Sequence, residues 1–442
     1  MIIHQRSTRR PKTAVRASAT AALALTCALT ALLATGCGDE GSNEQHNETH
    51  NQTHNETRDK PPGPSATHQP PGEGKSGERG EIVSATPVAD LDAEQVAALL
   101  TGTGMDPAQV RHGVRAHRIV YRTVGTDGEP TTASQLVVLP KNDARELRAV
   151  SWLHGTEVYR GEVASVNDES ADRAAALLFA STGRAVSAPD YLGLGKGPGI
   201  HPYGHPKATV TASVDALRAA REFARRDGRD VGRRVFISGF SQGGPATMLV
   251  GRALHDGVDP YFRPAALAPI AGPFDLSGFE AAAADDKVAR SSLYLAYFST
   301  AWNRLYGLYE KPDEAFRAPY GKEIETLFDG NHKAPQIAAA LPKTSKDLFT
   351  EDFLRKIRTP TGELREKLTE MDNTCDWRPD VPVHLFHAPG DKDVPYANSL
   401  HCQGQLTARG ADQKLTDMGT LDHYGTVLEA VPQVAREFDA AS

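Results

Sequence analysis

Residues 234–238 form a short β-branched and aromatic run that ends in Gly239-Phe240-Ser241-Gln242-Gly243 and continues as a helical pattern. Few folds accommodate such a junction. A serine at so tight a strand-to-helix turn takes a strained backbone conformation, and the two flanking glycines avoid side-chain clashes. The pattern predicts a nucleophilic hydroxyl on Ser241 and a Gln242 N–H directed at a developing oxyanion.

The rest of the chain alternates between strand-like and helix-like patterns. The strand patterns cover residues 135–140, 148–153, 184–189, 265–270 and 381–387. The helix patterns cover residues 208–226, 244–254, 396–408 and 426–438. This alternation predicts an α/β fold, in which a mainly parallel sheet is flanked by helices on both faces. Ligands of such folds bind at the carboxyl ends of the strands, where Ser241 lies.

About 100 residues between the strand patterns at 265–270 and 381–387 break the alternation. Two stretches within them, 287–309 and 350–371, have helical spacing. We therefore predict a helical cap insertion at about residues 275–372, over the mouth of the Ser241 site. The first stretch is rich in aromatic residues, namely Tyr294, Tyr297, Phe298, Trp302, Tyr306 and Tyr309. Most of them should pack the cap onto the core, and one or two should line a pocket for the acyl group.

Residues 1–37 have the pattern of an export signal, because basic residues precede a long apolar stretch. The segment ends in Leu33-Ala34-Thr35-Gly36-Cys37, which resembles a bacterial lipobox. Cleavage before Cys37 and lipidation of its thiol would anchor the chain to the cell membrane on the extracytoplasmic side. The alternatives are an uncleaved signal anchor and cleavage by ordinary signal peptidase.

Residues 38–82 are polar and of low complexity, and they lack the apolar surface needed to fold. We interpret them as a disordered tether that leads into a catalytic domain at residues 83–442. A metal site at His46, His50 and His54 is the alternative. The tether supplies no carboxylate ligands at fixed geometry, so we expect no metal.

The composition restricts partners and compartment. Hydrophobic residues make up 39% of the 442 residues, enough for a large core. The formal net charge of −7 becomes −12 once the basic signal is removed, which disfavours nucleic acid as a partner. Outside the signal and lipobox the cysteines are Cys375 and Cys402, which we expect to form a disulfide in an oxidising compartment. Two free buried cysteines are the alternative.

A serine nucleophile needs a base, and the base needs an acid that orients it. The acid candidates are Asp391 and Asp393, in a turn that directly follows an apolar strand pattern. The base candidate is His423, between the last strand and the last helix, and a solvated loop histidine is the alternative. A second oxyanion donor should come from the N–H of Thr156 or of Gly155, in the loop after an earlier strand.

These segments together resemble the α/β-hydrolase superfamily and, within it, the secreted esterase and lipase group that includes the fungal-type secretory lipases. The resemblance spans residues 108–440 and is carried by His154-Gly155-Thr156, Pro189 to Gly195, His201-Pro202-Tyr203, Gly239 to Gly244, Val394-Pro395-Tyr396 and Asp422-His423. It implies hydrolysis of carboxylic esters through an acyl-enzyme, with small-molecule ester or lipid substrates and no cofactor.

The resemblance also orders the catalytic residues as serine, acid and histidine. That order favours His423, because His154, His201 and His205 precede Ser241. It favours Asp391 over Asp393, because the acid of such hydrolases lies four residues before the proline of this turn.

Three other functions are compatible with parts of the pattern. A serine peptidase and an acyltransferase use the same triad on the same fold, and a catalytically silent hydrolase fold could act as a surface binding module. The last is disfavoured because all three triad residues are present in order. A metallohydrolase is disfavoured because the folded region lacks His-Glu-x-x-His and clustered Cys/His ligands.

Overall fold

The computed structural model describes residues 78–441. The predictions that fall on residues 1–77 lie outside the described residues. They are the export signal, the lipidated Cys37, most of the tether, and the alternative metal site at His46, His50 and His54.

A single sheet of nine strands forms the centre of the described chain, in the order β1-β2-β3-β5-β4-β6-β7-β8-β9. The strands are β1 Ile82–Leu91, β2 Val114–Val124, β3 Pro130–Pro140, β4 Glu146–Leu153, β5 Ala185–Pro189, β6 Asp230–Phe240, β7 Arg263–Ile270, β8 Val383–His387 and β9 Gln413–Asp417. β4 to β9 pair in parallel, and β1, β2, β3 and β5 pair antiparallel in series. The predicted mainly parallel sheet is confirmed.

Helices cover both faces of the sheet, as the alternating pattern predicts. One face is covered by α1 Ala93–Thr103, α2 Ala171–Ser181 and α14 His423–Ala440. The other is covered by α3 Pro206–Arg226, α4 Gly243–His255 and α13 Ala397–Ala408. The central strands bury side chains on both faces because each face has its own apolar core, which accounts for the nearly continuous apolar runs in these strands.

The chain between β7 and β8 is helical and has an apolar core of its own. Its helices are α5 Leu276–Ala284, α6 Ser291–Tyr306, α7 Pro312–Ala315, α8 Ile324–Leu327, α9 Ala334–Ala340, α10 Ser345–Leu348, α11 Glu351–Arg358 and α12 Gly362–Asp372, with a 3-10 turn at Tyr320–Lys322. We refer to residues 276–372 as the cap.

The structure differs from the sequence prediction in several places. The helical pattern at 350–371 is two helices, α11 and α12, because Pro360 disfavours a helical backbone at the residue before it and so ends α11. The strands β1 and β2 and the helices α1 and α2 were not predicted. Ahead of β1, Arg79 already pairs with the buried Asp215 at 3.0 Å, so the chain is packed before the expected end of the tether at about residue 82.

The predicted disulfide is present. Cys375 lies just after α12 and bonds to Cys402 in α13, across 27 residues of chain. Both cysteines are fully buried. The link joins the end of the cap to the helix that follows the Asp391 turn.

Candidate active site

Ser241 stands at the junction of β6 and α4 in a left-handed conformation, with φ of 54°. The glycines on either side are required by close backbone approach. A Cβ atom on Gly243 would lie 1.9 Å from the Leu153 carbonyl oxygen, and one on Gly239 would lie 2.4 Å from the Gly243 carbonyl oxygen. No other residue fits at these two positions without moving β4. The turn therefore has the strained geometry expected of Gly-x-Ser-x-Gly.

The sheet topology brings a second loop to Ser241. The chain passes from β4 to β5 on one side and later returns to β6 on the other, so the direction of winding reverses between β4 and β6. Ligand sites of open α/β sheets form at such a reversal, at the carboxyl ends of the strands. The loop after β4 contains Gly155, and a Cβ atom on Gly155 would lie 3.5 Å from the Ser241 Cβ. The predicted oxyanion loop is thus adjacent to the serine.

Side chains of two further segments hold this oxyanion loop. The His154 ring lies between two carbonyl oxygens, with Nδ1 at 2.7 Å from that of Gly155 and Nε2 at 3.2 Å from that of Asp190. The Thr156 hydroxyl lies 3.1 Å from the hydroxyl of Tyr203. These contacts fix the loop from both sides.

Gln242 is fixed by a buried histidine that sequence reasoning set aside. Its side-chain amide donates to Nε2 of His201 at 3.0 Å. His201 Nδ1 in turn donates to the Leu192 carbonyl oxygen at 2.8 Å, so Nε2 is free to accept. Burial lowers the pKa of His201 to about 3, which keeps the ring neutral and the Gln242 contact intact at working pH. Gln242 directly precedes α4, whose first N–H groups have no intrahelical acceptors.

The neutral His201 predicts a pH dependence of stability. Its folded pKa of about 3 lies below the ordinary value of 6.5, so between these values the unfolded chain binds a proton that the folded chain does not. The contribution of His201 to the free energy of unfolding is therefore complete above pH 6.5 and is lost as the pH falls toward 3. From pH 7 to pH 5 the loss is about 2 kcal/mol. In His201→Asn, which keeps a donor to Leu192, we expect the free energy of unfolding to fall by about 2 kcal/mol less over the same interval. Denaturant unfolding at pH 7, 6 and 5 measures the free energy of unfolding of both proteins. An equal dependence of this free energy on pH in wild type and His201→Asn would contradict the prediction.

Asp391 and His423 are in direct contact. Asp391 Oδ2 accepts a hydrogen bond from His423 Nδ1 at 2.6 Å, although 32 residues separate them in sequence. His423 is the first residue of α14, and Asp422 caps that helix by accepting from the Gly425 N–H at 2.7 Å. The His423 ring packs on Phe240, which precedes Ser241, with 4.5 Å between ring centroids. The imidazole is therefore held beside the serine turn with its Nε2 edge free of the carboxylate.

Asp393, the other acid candidate, faces the cap. Its Oδ1 accepts from Arg290 Nε at 2.6 Å and from the Tyr294 hydroxyl at 2.9 Å. The backbone adds a further link, because the Ala289 N–H donates to the Lys392 carbonyl oxygen at 2.8 Å. Asp391 thus binds His423, whereas Asp393 binds the segment at the start of α6.

His387 is a second histidine on the same carboxylate, and sequence reasoning treated it only as a strand end. Its Nε2 lies 3.2 Å from Asp391 Oδ2 and 3.0 Å from the Val394 carbonyl oxygen, while the Ser399 hydroxyl lies 2.7 Å from Nδ1. Asp391 Oδ1 accepts the N–H groups of Asp393 and Val394, at 2.8 and 3.0 Å. Burial raises the pKa of Asp391, but the hydrogen bonds from His387 and His423 outweigh it and hold that pKa well below its usual range. The carboxyl group therefore stays ionised.

The aromatic residues of α6 are largely cap core, as expected, and one of them reaches the oxyanion loop. Tyr297 stacks on Tyr203 with 4.4 Å between ring centroids, and its hydroxyl donates to the Glu157 carbonyl oxygen at 3.0 Å. Trp302 is fully buried, and its indole N–H donates to the Tyr203 carbonyl oxygen at 3.1 Å. The cap therefore contacts the loop that begins at Gly155.

Two observations concern residues 78–441 as a whole. In this part of the chain no group of three or more His, Cys, Asp or Glu side chains is arranged to hold a metal ion. None of its helices is long and apolar enough to cross a membrane.

Solved structures with the same architecture are hydrolases. A Legionella pneumophila protein described as a hydrolase is 27% identical, with a TM-score of 0.76 over 81% of this chain and 98% of that one. A ligand-bound form of the rice cell wall degrading esterase LipA from Xanthomonas oryzae is 26% identical, with a TM-score of 0.74 over 82% of this chain and 98% of that one. Candida antarctica lipase A in its closed state shares the fold at 14% identity, with a TM-score of 0.60 over 78% of each chain. No protein-family model matches the chain, and no curated protein matches it in sequence. The chain has the α/β-hydrolase fold, and these three neighbours are a hydrolase, an esterase and a lipase.

Proposed function

We propose that this protein is a serine hydrolase that cleaves carboxylic esters through an acyl-enzyme. Ser241 is the nucleophile, His423 the general base and Asp391 the acid that orients the base. One observation carries the proposal most directly: the 2.6 Å contact between Asp391 and His423 lies beside a serine at φ 54°. Esterase and lipase neighbours of the same fold support it.

We propose a role for each group, and the contacts support it. Asp391 accepts from His423 Nδ1, which fixes the tautomer with Nε2 free to take the Ser241 proton. The Ser241 oxygen then adds to the ester carbonyl carbon, and the N–H groups of Gln242 and Thr156 stabilise the oxyanion. His423 returns the proton to the leaving alcohol, the C–O bond breaks, and the acyl group remains on Ser241. A water that loses its proton to His423 releases the acid and restores the serine.

The burial of the site supports an organic ester as the substrate. Ser241, Gln242 and His423 are each less than a tenth exposed, beneath a cap with an aromatic core. Oxyanion donors act more strongly when water is excluded, and an apolar enclosure suits a hydrophobic acyl group better than a charged peptide terminus.

Hydrolysis of p-nitrophenyl esters from acetate to palmitate by the purified full chain tests the proposal. Turnover should be accompanied by labelling with a fluorophosphonate probe, which reacts with an activated serine. The chain length of the optimal ester then separates an esterase, with a short optimum, from a lipase, with a long one. Labelling without turnover of any ester would reject ester hydrolysis and favour a peptidase or an acyltransferase. Neither labelling nor turnover would favour a silent binding module.

We further propose that the protein acts outside the cytoplasm as a membrane-anchored lipoprotein. The support is the lipobox that ends in Cys37 and the disulfide between Cys375 and Cys402, which suits an oxidising compartment. The full chain made in a bacterial host should incorporate labelled palmitate, and Cys37→Ala should not. Equal labelling of both proteins would reject lipidation at Cys37.

A further inference from the structure

Glu280, on α5 of the cap, is a buried carboxyl group that the proposed catalytic cycle does not use. It is 1% exposed, and neither of its carboxyl oxygens has a hydrogen-bond partner among residues 78–441. Burial raises the pKa of Glu280 well above its usual range, which favours the neutral, protonated form of the carboxyl group. Buried carboxyl groups are normally paired or hydrogen-bonded, and those that are not call for an explanation.

The position of Glu280 relates it to the proposed catalytic centre. α5 begins just after β7, whose last residue, Ile270, accepts the hydrogen bond of the Ser241 N–H at 2.9 Å. On the other side, Phe279, the neighbour of Glu280 in α5, belongs to the same buried apolar cluster as Tyr203 and Tyr297. The Tyr203 hydroxyl contacts that of Thr156 at 3.1 Å. The helix that carries Glu280 therefore connects the segment that follows β7 to the cluster that contacts the oxyanion loop.

The residues around Glu280 offer its carboxyl group no stabilising interaction. The other buried residues of α5 are apolar, namely Leu276, Phe279, Ala283 and Ala284, and they join the apolar core of the cap. An apolar residue of similar volume at position 280 would avoid the cost of a buried group without a partner. A carboxyl group present at such a cost, in a cap that contacts the oxyanion loop, indicates a ligand that supplies the missing partner.

We propose that Glu280 recognises a neutral hydroxyl group on the ester substrate, a specificity that rests on the ester hydrolase function proposed above. A protonated carboxyl group offers one O–H donor and one carbonyl acceptor. A hydroxyl group also both donates and accepts, so the two can form a reciprocal pair. The aromatic rings of Tyr203 and Tyr297 would border the carbon skeleton that bears this hydroxyl.

Two pairs of esters of equal size test the proposal. The hydroxyl lies in the alcohol part in 2-hydroxyethyl butyrate, whose isostere is propyl butyrate. It lies in the acyl part in methyl 3-hydroxybutyrate, whose isostere is methyl 3-methylbutyrate. Each ester is assayed with the full wild-type chain, with Glu280→Gln, which keeps a neutral donor and acceptor, and with Glu280→Leu, which keeps volume alone.

The expected result is a change in preference. In at least one pair, the ratio of kcat/KM for the hydroxyl ester to that for its isostere should fall about 3- to 10-fold in Glu280→Leu. The ratio should stay within about twofold of wild type in Glu280→Gln. Glu280→Leu should also melt at a higher temperature than wild type, because it removes a buried polar group without a partner. Ratios that are unchanged in Glu280→Leu would overturn the proposal.

Two further experiments distinguish a hydroxyl ligand from a cation, and a failure of this proposal from a failure of the proposed function. Choline butyrate and its neutral isostere 3,3-dimethylbutyl butyrate test for a cation, which requires an ionised carboxylate. A choline preference that disappears in Glu280→Gln would overturn recognition of a hydroxyl. If wild type cleaves none of the esters, the proposed function fails, and ligand-detected NMR then reports binding of the same pairs. Equal binding of hydroxyl ester and isostere to wild type would overturn the Glu280 proposal independently of turnover.

Discussion

Ser241→Ala is expected to lower kcat for ester hydrolysis by roughly 10⁴-fold or more while leaving the fold unchanged. The change removes a single oxygen. The strained backbone at φ 54° is imposed by Gly239, Gly243 and the approach of β4, so alanine occupies the same turn. Without the Oγ no acyl-enzyme forms, and only general binding and oxyanion contacts remain to act on water.

Ser238→Ala is the matched control for this variant. Ser238 lies on β6, three residues before Ser241, and is fully buried, and its hydroxyl donates to the Ala268 carbonyl oxygen at 2.7 Å. Its loss should cost about 1 kcal/mol of stability and little activity. Kinetics with p-nitrophenyl butyrate and thermal melts of both variants make the comparison. Ester turnover by Ser241→Ala within tenfold of wild type would contradict the assignment of the nucleophile.

Asp391→Asn is expected to lower kcat by roughly 10³- to 10⁴-fold with little change in KM. All four contacts of the carboxylate come from donors, namely His387 Nε2, His423 Nδ1 and the N–H groups of Asp393 and Val394. Two of these donors face Oδ2 and the other two face Oδ1. The NH₂ group of an asparagine would replace one of these oxygens and would face donors rather than acceptors. When the NH₂ group faces His423, the imidazole no longer has an acceptor that fixes its tautomer. It also loses the negative charge that stabilises the imidazolium ion.

Asp393→Asn supplies the comparison for this second prediction, because the same change two residues away removes a different contact. It weakens the pairing with Arg290, which is more than half exposed, and should lower kcat less than tenfold. Steady-state kinetics well below the melting temperature of each variant distinguish the two carboxylates. A larger loss for Asp393→Asn than for Asp391→Asn would reverse the assignment of the acid.

The contrast between these two carboxylates illustrates what the sequence could and could not predict. Local spacing was sufficient for the turn at Ser241, because strand, glycines and helix lie within a dozen residues. Choosing between Asp391 and Asp393 on physical grounds needs their partners, His423 and Arg290, which are 32 and 103 residues away. The sequence therefore left both open, and only the resemblance favoured Asp391.

The same limit applies to the supporting residues. His387 and Glu280 have no local signal, because their significance comes from contacts with other segments or from the lack of them. His201 lies in a segment that carries the resemblance, but its contact with Gln242, 41 residues away, could not be predicted from that segment. β1 was missed because most of its side chains are exposed and Pro87 interrupts its pattern. β2 was missed although its residues alternate partly between buried and less buried positions.

The contacts of Asp393 have a consequence for engineering. Arg290, Tyr294 and the Ala289 N–H all attach the start of α6 to the turn that carries Asp391. The cap is therefore not an independent module that can be exchanged to alter which esters are accepted. A chimaera that receives a foreign cap must keep an arginine at position 290 and a tyrosine at position 294. Otherwise the turn that carries Asp391 and Asp393 must be redesigned. The natural splice points lie beyond positions 290 and 294, inside α6 after Tyr294 and before the cysteine that closes the disulfide.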